Sequence, residues 1–168
     1  GARVTRVDCA WGEVLADDAV AEAIERVRPA LVAFVHAETS TGACQPVEPI
    51  ARAARDAGAL VVLDCVTSLA GLPLAIDAWG ADVVYSGTQK CLSCPPGLAP
   101  LTLSPRALEV VKARKGKCPS WYLDLGLIAD YWADGKRAYH HTAPITMVYA
   151  LREPLRIALH KGHRLARR

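Results

Sequence analysis

The stretch YSGTQKCLSCPPG, residues 85–97, contains three side chains that can do chemistry. Lys90 carries an amine that can attack a carbonyl carbon and form a Schiff base. Cys91 and Cys94 follow at the C-x-x-C spacing that occurs in zinc sites and in redox dithiols. A zinc site needs four ligands, and no second closely spaced Cys/His pair accompanies this one. Zinc or redox chemistry is therefore the weaker interpretation, and a reactive Lys90 with cysteines packed around it is the stronger one.

Polar side chains follow three predicted strands, at the ends where ligands bind in open α/β sheets. Asp64 ends the strand LVVLD, and Lys90 comes shortly after the strand DVVYS. Hydroxyl groups accompany them at Thr39, Ser40, Thr67, Ser68 and Thr88. Pyridoxal phosphate fits this pattern, because it binds a lysine amine and needs a carboxylate against its ring nitrogen. The alternative, from these residues alone, is that Asp64 caps a loop and Lys90 is solvated.

The elements that must position these residues alternate along the chain. Strands are predicted at 3–8, 31–36, 60–64, 82–86 and 98–103. The first predicted helix begins at Asp17 or Asp18 and stops before Pro29, and the second covers 47–57 with Gly58 after it. A third runs from Pro105 to Gly116, with Ser104 as its N-cap. Two more are predicted near 124–132 and at about 145–160, the latter with a kink at Pro154. This alternation predicts one α/β domain with a mainly parallel sheet flanked by helices.

Two strands carry further expectations. LVAFVH, residues 31–36, is an uninterrupted apolar run, which predicts a strand buried on both faces. His36 at its end is expected to be a core histidine with satisfied hydrogen bonds. Pro100 lacks a backbone donor and therefore favours an edge position for the strand 98–103.

Composition excludes several classes of function. The net charge of +3 is too small and too dispersed to indicate nucleic-acid binding. No apolar run reaches the ~18–20 residues of a membrane span, and the first residues lack the apolar core of a signal peptide. The six cysteines are scattered in a largely apolar chain, which favours free thiols in a reducing compartment. Neither a metal site nor a membrane partner is expected.

The longest informative segment is VLDCVTSLAGLPLAIDAWGADVVYSGTQKCLSCPPGLAPLTLS, residues 62–104. It closely resembles class V pyridoxal-phosphate aminotransferases, in particular their alanine–glyoxylate and serine–pyruvate branch. The resemblance continues through HAETSTGACQP before it and through KCPSWYLDL, YHHTAP and YALRE after it. Several motifs thus agree in order and spacing over nearly the whole chain. The Gln89 that precedes the lysine separates the chain from cysteine desulfurases.

The resemblance implies a role for each matching residue. Lys90 would form the Schiff base with pyridoxal phosphate, and Asp64 would bind the ring nitrogen. Within the same subunit, the other implied neighbours of the cofactor are Val66 on the ring face, Thr39 and Gln89 beside the 3-hydroxyl, and Ser68 close by. Tyr139 and Thr142 would reach the phosphate of the cofactor in the partner subunit of a homodimer. His140 and His141 are expected to pack at that interface.

The implied activity is transamination of alanine or serine with glyoxylate or pyruvate, in which Lys90 moves a proton at the substrate's α-carbon. Other class V activities, with 2-aminoethylphosphonate or aspartate as donor, remain alternatives. So does an inactive remnant that serves as a subunit-interface element. The resemblance implies a cytoplasmic protein, or a peroxisomal or mitochondrial one in a eukaryote.

The resemblance also implies that residues 1–168 are part of the large, cofactor-binding domain. The first strands and the C-terminal small domain of the family would be missing, and residues 145–168 would begin the helix that leads to that small domain. One missing strand would lie between 3–8 and 31–36. We therefore expect a gap or a rearrangement in the sheet there.

Overall fold

In the computed structural model, residues 2–132 and 139–165 are described, with side chains up to residue 160. The elements in chain order are α1 (Asp17–Val27), β1 (Leu31–Val35), α2 (Glu48–Asp56), β2 (Leu60–Asp64), α3 (Ile76–Trp79), β3 (Val83–Tyr85), β4 (Leu101–Leu103), α4 (Pro105–Lys112), α5 (Leu125–Trp132) and α6 (Ile145–Leu165). Residues 166–168, the end of the predicted C-terminal tail, lie outside the described part.

The four strands form one sheet in the order β1-β2-β3-β4. β1 pairs with β2, and β2 with β3, in parallel, whereas β4 runs antiparallel to β3. The prediction of an α/β fold with a mainly parallel sheet is confirmed. Because the first three strands are parallel, their carboxyl ends meet at one edge, where Val35 is in register with Asp64 and Asp64 with Tyr85.

The core lies between this sheet and helices α1 and α2. Val61 and Leu63 of β2 are fully buried, and they belong to one apolar cluster with Ile24 of α1 and Ile50 of α2. Burial of each such side chain stabilises the fold by roughly 1.5–3 kcal/mol. β2 is thus the best-covered strand, and it carries Asp64 at its end.

Most helix ends follow the predicted signals. Ser104 caps α4, where its hydroxyl accepts a hydrogen bond from Ala107 N at 3.1 Å. Gly58 follows α2 at a φ of 81°. Its amide donates to Arg55 O and that of Ala59 to Ala54 O, both at 2.9 Å, which is the Schellman pattern.

Two predicted helix boundaries were wrong. α1 has Ala16 as its N-cap, and Asp17 and Asp18 lie in its first turn, where their charges favour the positive end of the helix. α4 ends at Lys112 and not at Gly116. The short helix α3 was not predicted, since four residues are too few to show a helical period.

Two predictions for the strands were also wrong. Residues 3–8 form no strand, and β1 is not buried on both faces, because Leu31 and Val35 are 48% and 41% exposed. A cavity of about 730 Å³ is lined by residues 2–7 on one side and by β1 and α1 on the other, and residues 2–7 do not pair with β1. The expected gap in the sheet is present at this place, and we call it the β1 slot.

The C-terminal part contains α5 and α6, both near their predicted positions. α6 runs from Ile145 to Leu165 and continues through Pro154. The predicted strand 98–103 is shorter than expected, because only Leu101–Leu103 pair with β3, and it does lie at the sheet edge. Over the described residues, none of the helices has the length and apolar character needed to cross a bilayer.

Candidate active site

The loops after β2 and β3 are joined directly beyond the sheet edge. Cys65 N donates to Tyr85 O at 2.9 Å, which extends the ladder past the end of β2. The buried Ser86 hydroxyl donates to Cys65 O at 2.9 Å. These bonds hold the segment after Asp64 against the segment that leads to Lys90. Asp64 at the end of β2 and Lys90 in the loop after β3 therefore lie on connected segments at the same edge of the sheet.

Asp64 presents a carboxylate that is only partly engaged. Its Oδ1 accepts from Val66 N at 2.8 Å, and its Oδ2 accepts from the Tyr85 hydroxyl at 2.7 Å. A carboxylate has about four acceptor positions. The half-buried Asp64 therefore keeps lone pairs for a ligand, and its charge suits a protonated ring nitrogen.

Lys90 lies in a tight turn that its neighbours stabilise. The buried Thr88 hydroxyl donates to Pro95 O at 2.8 Å, Cys94 N donates to Thr88 O at 3.0 Å, and Ser93 N donates to Lys90 O at 2.8 Å. Ser93 adopts a left-handed φ of 55° to close this turn. The backbone around the half-buried Lys90 is thereby well defined.

The cysteines beside Lys90 differ from one another. Cys94 is buried at 6% exposure, as expected of a small packing residue, whereas Cys91 is exposed and lies against Gly71. All six cysteines are free thiols. Among the described residues, no group of three or more His, Cys, Asp or Glu side chains is arranged to hold a metal ion. Within the described residues, Cys91 and Cys94 therefore have no additional side chain beside them to complete a metal site.

The loop after β1 reaches the same edge. Thr39 Oγ1 lies 2.5 Å from Thr67 Oγ1, so the loop after β1 contacts the loop after β2. Hydrogen bonds from the side chain and backbone of Ser40 lower the pKa of Glu38, and the positive charge of Lys90 adds to this effect. Hydroxyl groups from the loops after β1 and β2 thus contact each other, and Lys90 lies near enough to Glu38 for its charge to act on that carboxylate.

Three other predicted residues lie on these loops. Val66 is half-buried, and Gln89 is exposed and folds back over Gly87. Ser68 is 1% exposed, and its Oγ has no hydrogen-bond partner within the described residues. Their roles as cofactor contacts remain predictions.

Tyr139 and Thr142 are near each other, with Tyr139 Oη 2.5 Å from Thr142 Oγ1. Tyr139 is 70% exposed, so its hydroxyl is accessible from outside the chain. In the described residues, no hydrogen bond joins this pair to the edge that carries Asp64. The intervening His140 and His141 contact Trp121 and Tyr122, respectively, in tilted arrangements with ring centroids 4.3 and 4.4 Å apart.

His36 departs from its expectation. It is buried, and burial lowers its pKa. Its Nε2 lies 3.6 Å from Cys44 Sγ, but its Nδ1 finds no partner in the described part of the chain. The prediction of a core position is confirmed, whereas the prediction of full hydrogen bonding is not.

Sequence reasoning missed Tyr85. Its hydroxyl contacts the Asp64 carboxylate because the two residues are paired at the ends of β3 and β2. The signal was available in part, since Asp64 is the last residue and Tyr85 the last but one of neighbouring predicted strands. Only the register of the sheet shows that they share one face.

Comparison with known proteins agrees with this arrangement. The profile of the family described as Aminotransferase class-V matches residues 1–165. The (S)-ureidoglycine–glyoxylate transaminase of Bacillus subtilis (strain 168) is 39% identical over 180 residues, which cover 96% of this chain and 43% of that protein. The alanine–glyoxylate aminotransferase of Oryctolagus cuniculus is 40% identical over 145 residues, covering 85% and 37%.

A solved structure has the same fold as this chain. The crystal structure of alanine–glyoxylate aminotransferase from Nostoc sp. superimposes with a TM-score of 0.85 at 50% identity, over 90% of this chain and 40% of that one. The chain therefore spans about two fifths of the length of the relatives it matches. The profile match over almost every residue and the shared fold show that the chain belongs to the class V aminotransferases, a family of enzymes that generally depend on pyridoxal phosphate.

Proposed function

We propose that this chain is the cofactor-binding core of a pyridoxal-phosphate transaminase that transfers an amino group from a small amino acid to glyoxylate. The observation that supports the proposal is that the segment after Asp64 is hydrogen-bonded to the segment that leads to Lys90, at one edge of the sheet. Glyoxylate is named in both of the relatives compared by sequence. Alanine or serine is the donor we favour, with pyruvate as a second acceptor.

The residues present fit the cofactor chemically. Lys90 supplies an amine for the cofactor's aldehyde carbon, and Asp64 keeps acceptor positions for a protonated ring nitrogen. When bound, the cofactor supplies an electron sink for negative charge at the substrate's α-carbon. Lys90 Nζ would take the proton from that α-carbon and deliver it to the cofactor carbon that carried the aldehyde, which is the net proton shift that transamination requires. Asp64 would hold the ring nitrogen.

The remaining residues orient the cofactor. We propose Val66 for the ring face, Thr39 and Gln89 for the side of the 3-hydroxyl, and Ser68 nearby. Tyr139 and Thr142 would bind the phosphate in the partner subunit of a homodimer, and the exposure of Tyr139 supports this role. Residues 1–168 would then be part of the large domain, with 145–168 leading towards a small domain.

Covalent labelling tests the proposal. The chain is incubated with pyridoxal phosphate and reduced with borohydride, and the modified residue is identified by peptide mass spectrometry. We expect the label on Lys90 and its loss in Lys90→Ala. Lys112→Ala is the matched control, because Lys112 is exposed and forms an ion pair with Glu109 of its own helix. A label spread over surface lysines, or none on Lys90, would refute the proposal for this chain.

A further inference from the structure

Tyr85 and Asp64 form a pair that the proposed catalytic groups do not account for. They are in direct register at the ends of the parallel strands β3 and β2, so their side chains leave the same face of the sheet. The Tyr85 hydroxyl donates to Asp64 Oδ2 at 2.7 Å, while Val66 N donates to Oδ1 at 2.8 Å. Each carboxylate oxygen thus accepts one hydrogen bond. The plane of the carboxylate is determined by these two donors together.

The two donors differ in how they are held. Val66 N belongs to the backbone two residues after Asp64 and moves with the same loop. Tyr85 belongs to the neighbouring strand, so its hydroxyl fixes the carboxylate relative to the sheet and to the segment that leads to Lys90. The hydrogen bond to Asp64 also raises the pKa of Tyr85 to about 12. The phenol therefore remains a neutral donor at all ordinary pH values.

We propose that Tyr85 is a positioning residue, which holds the Asp64 carboxylate so that its unshared lone pairs meet the ring nitrogen of the cofactor. The inference rests on the proposed function. It assigns Tyr85 no contact with substrate. Its effect on binding passes through Asp64 and is therefore specific to ligands that have a ring nitrogen. A purely structural role would affect all ligands of the site equally.

The test compares two ligands, pyridoxal phosphate and its 1-deaza analogue, in which a carbon replaces the ring nitrogen. Dissociation constants are measured by equilibrium dialysis for the wild type and for Tyr85→Phe, which keeps the ring and removes only the hydroxyl. Since the Tyr85 hydroxyl bonds a charged group but Tyr85 is 38% exposed, we expect about tenfold weaker binding of pyridoxal phosphate. Binding of the deaza analogue stays within about twofold.

Two further variants complete the design. Asp64→Ala should lose the preference for the nitrogen-containing ligand to a greater extent than Tyr85→Phe. Tyr149→Phe is the matched control, because Tyr149 is 74% exposed on α6, and it should leave both constants unchanged. Without any ligand, Asp64→Ala should lower the pKa of Tyr85 from about 12 towards its ordinary value of about 10, which tyrosine-labelled NMR at high pH detects.

The outcomes separate the two proposals. If wild type binds pyridoxal phosphate but Tyr85→Phe weakens both ligands equally, or neither, the positioning role is overturned and the proposed function stands. If wild type places no pyridoxal phosphate on Lys90, the proposed function fails and the inference fails with it. An unchanged Tyr85 titration in Asp64→Ala overturns the pairing itself.

Discussion

Asp64 and Asp82 differ in how many hydrogen bonds their carboxylates accept from the rest of the protein. Asp82, 3% exposed just before β3, accepts four hydrogen bonds, from Ser104 Oγ, Val61 N and both Nε and Nη2 of Arg106, at 2.5–3.1 Å. These bonds fill its acceptor positions. Asp64 accepts two from the described residues and keeps the rest free. The first carboxylate is therefore structural, and the second is available to a ligand.

Asp82→Asn should destabilise the protein. An amide cannot accept both arms of Arg106 and places a donor against other donors, so we expect the free energy of unfolding to fall by about 2–3 kcal/mol. Asp56→Asn, at the exposed end of α2, is the control and should stay within about 0.5 kcal/mol. Urea unfolding followed by circular dichroism measures both. Equal effects of the two substitutions would contradict the structural role.

The same carboxylate makes stability depend on pH. Burial alone would raise the pKa of Asp82, but the hydrogen bonds from Arg106, Val61 and Ser104 outweigh burial and lower it. A carboxylate whose pKa is lower in the folded than in the unfolded state contributes its full stabilisation above the unfolded pKa of about 3.9. This stabilisation is lost as the pH falls towards the pKa of the folded state. The stability gap between wild type and Asp82→Asn should therefore narrow below about pH 4. A gap that stays constant in urea titrations down to about pH 3 would argue against this pairing.

At the scale of elements, the end of α2 depends on one glycine. Gly58 has a φ of 81° and closes the Schellman motif, with no atom within 4 Å of the position that a Cβ would occupy. Any cost of a side chain there is therefore conformational and not steric. Gly116 is also in open space but has no left-handed φ.

This contrast gives a matched pair of variants. Gly58→Ala should lower the free energy of unfolding by about 1 kcal/mol, because an L-residue is strained in the left-handed region. Gly116→Ala should be neutral or slightly stabilising, since it only reduces the freedom of the unfolded chain. Thermal unfolding compares them. A Gly58→Ala variant as stable as Gly116→Ala would show that α2 ends differently.

At the scale of the whole molecule, strand β1 forms an edge of the sheet, and its unpaired side faces the β1 slot. His36 N donates to Asp64 O at 2.9 Å, and amide directions alternate along a strand, so Val32 and Phe34 also direct their amides to β2. The amides of Ala33 and Val35 then face the β1 slot. β2, by contrast, has a strand on each side.

Hydrogen exchange should report this asymmetry. We expect the amides of Ala33 and Val35 to exchange about 100-fold faster than those of Val32 and Phe34, because only the latter are hydrogen-bonded across the sheet. Val62 and Leu63 of β2 provide the internal reference and should both be protected. Residue-resolved NMR exchange measures the rates. Uniform protection along β1 would mean that another segment covers its free edge.

The sequence by itself determined the strands β1 to β3, most helices, and the placement of Asp64 and Lys90 at one edge of the sheet. These depend on local signals: apolar runs, capping residues, and polar residues at strand ends. It also predicted the gap beside β1, through the resemblance to a family with another strand there. Tertiary structure alone decided that residues 3–8 stay unpaired, since a strand exists only when a neighbour accepts its hydrogen bonds. It also decided which aspartate is saturated and that Tyr85 contacts Asp64. Those contacts depend on register and on residues more than twenty positions apart, which no local pattern encodes.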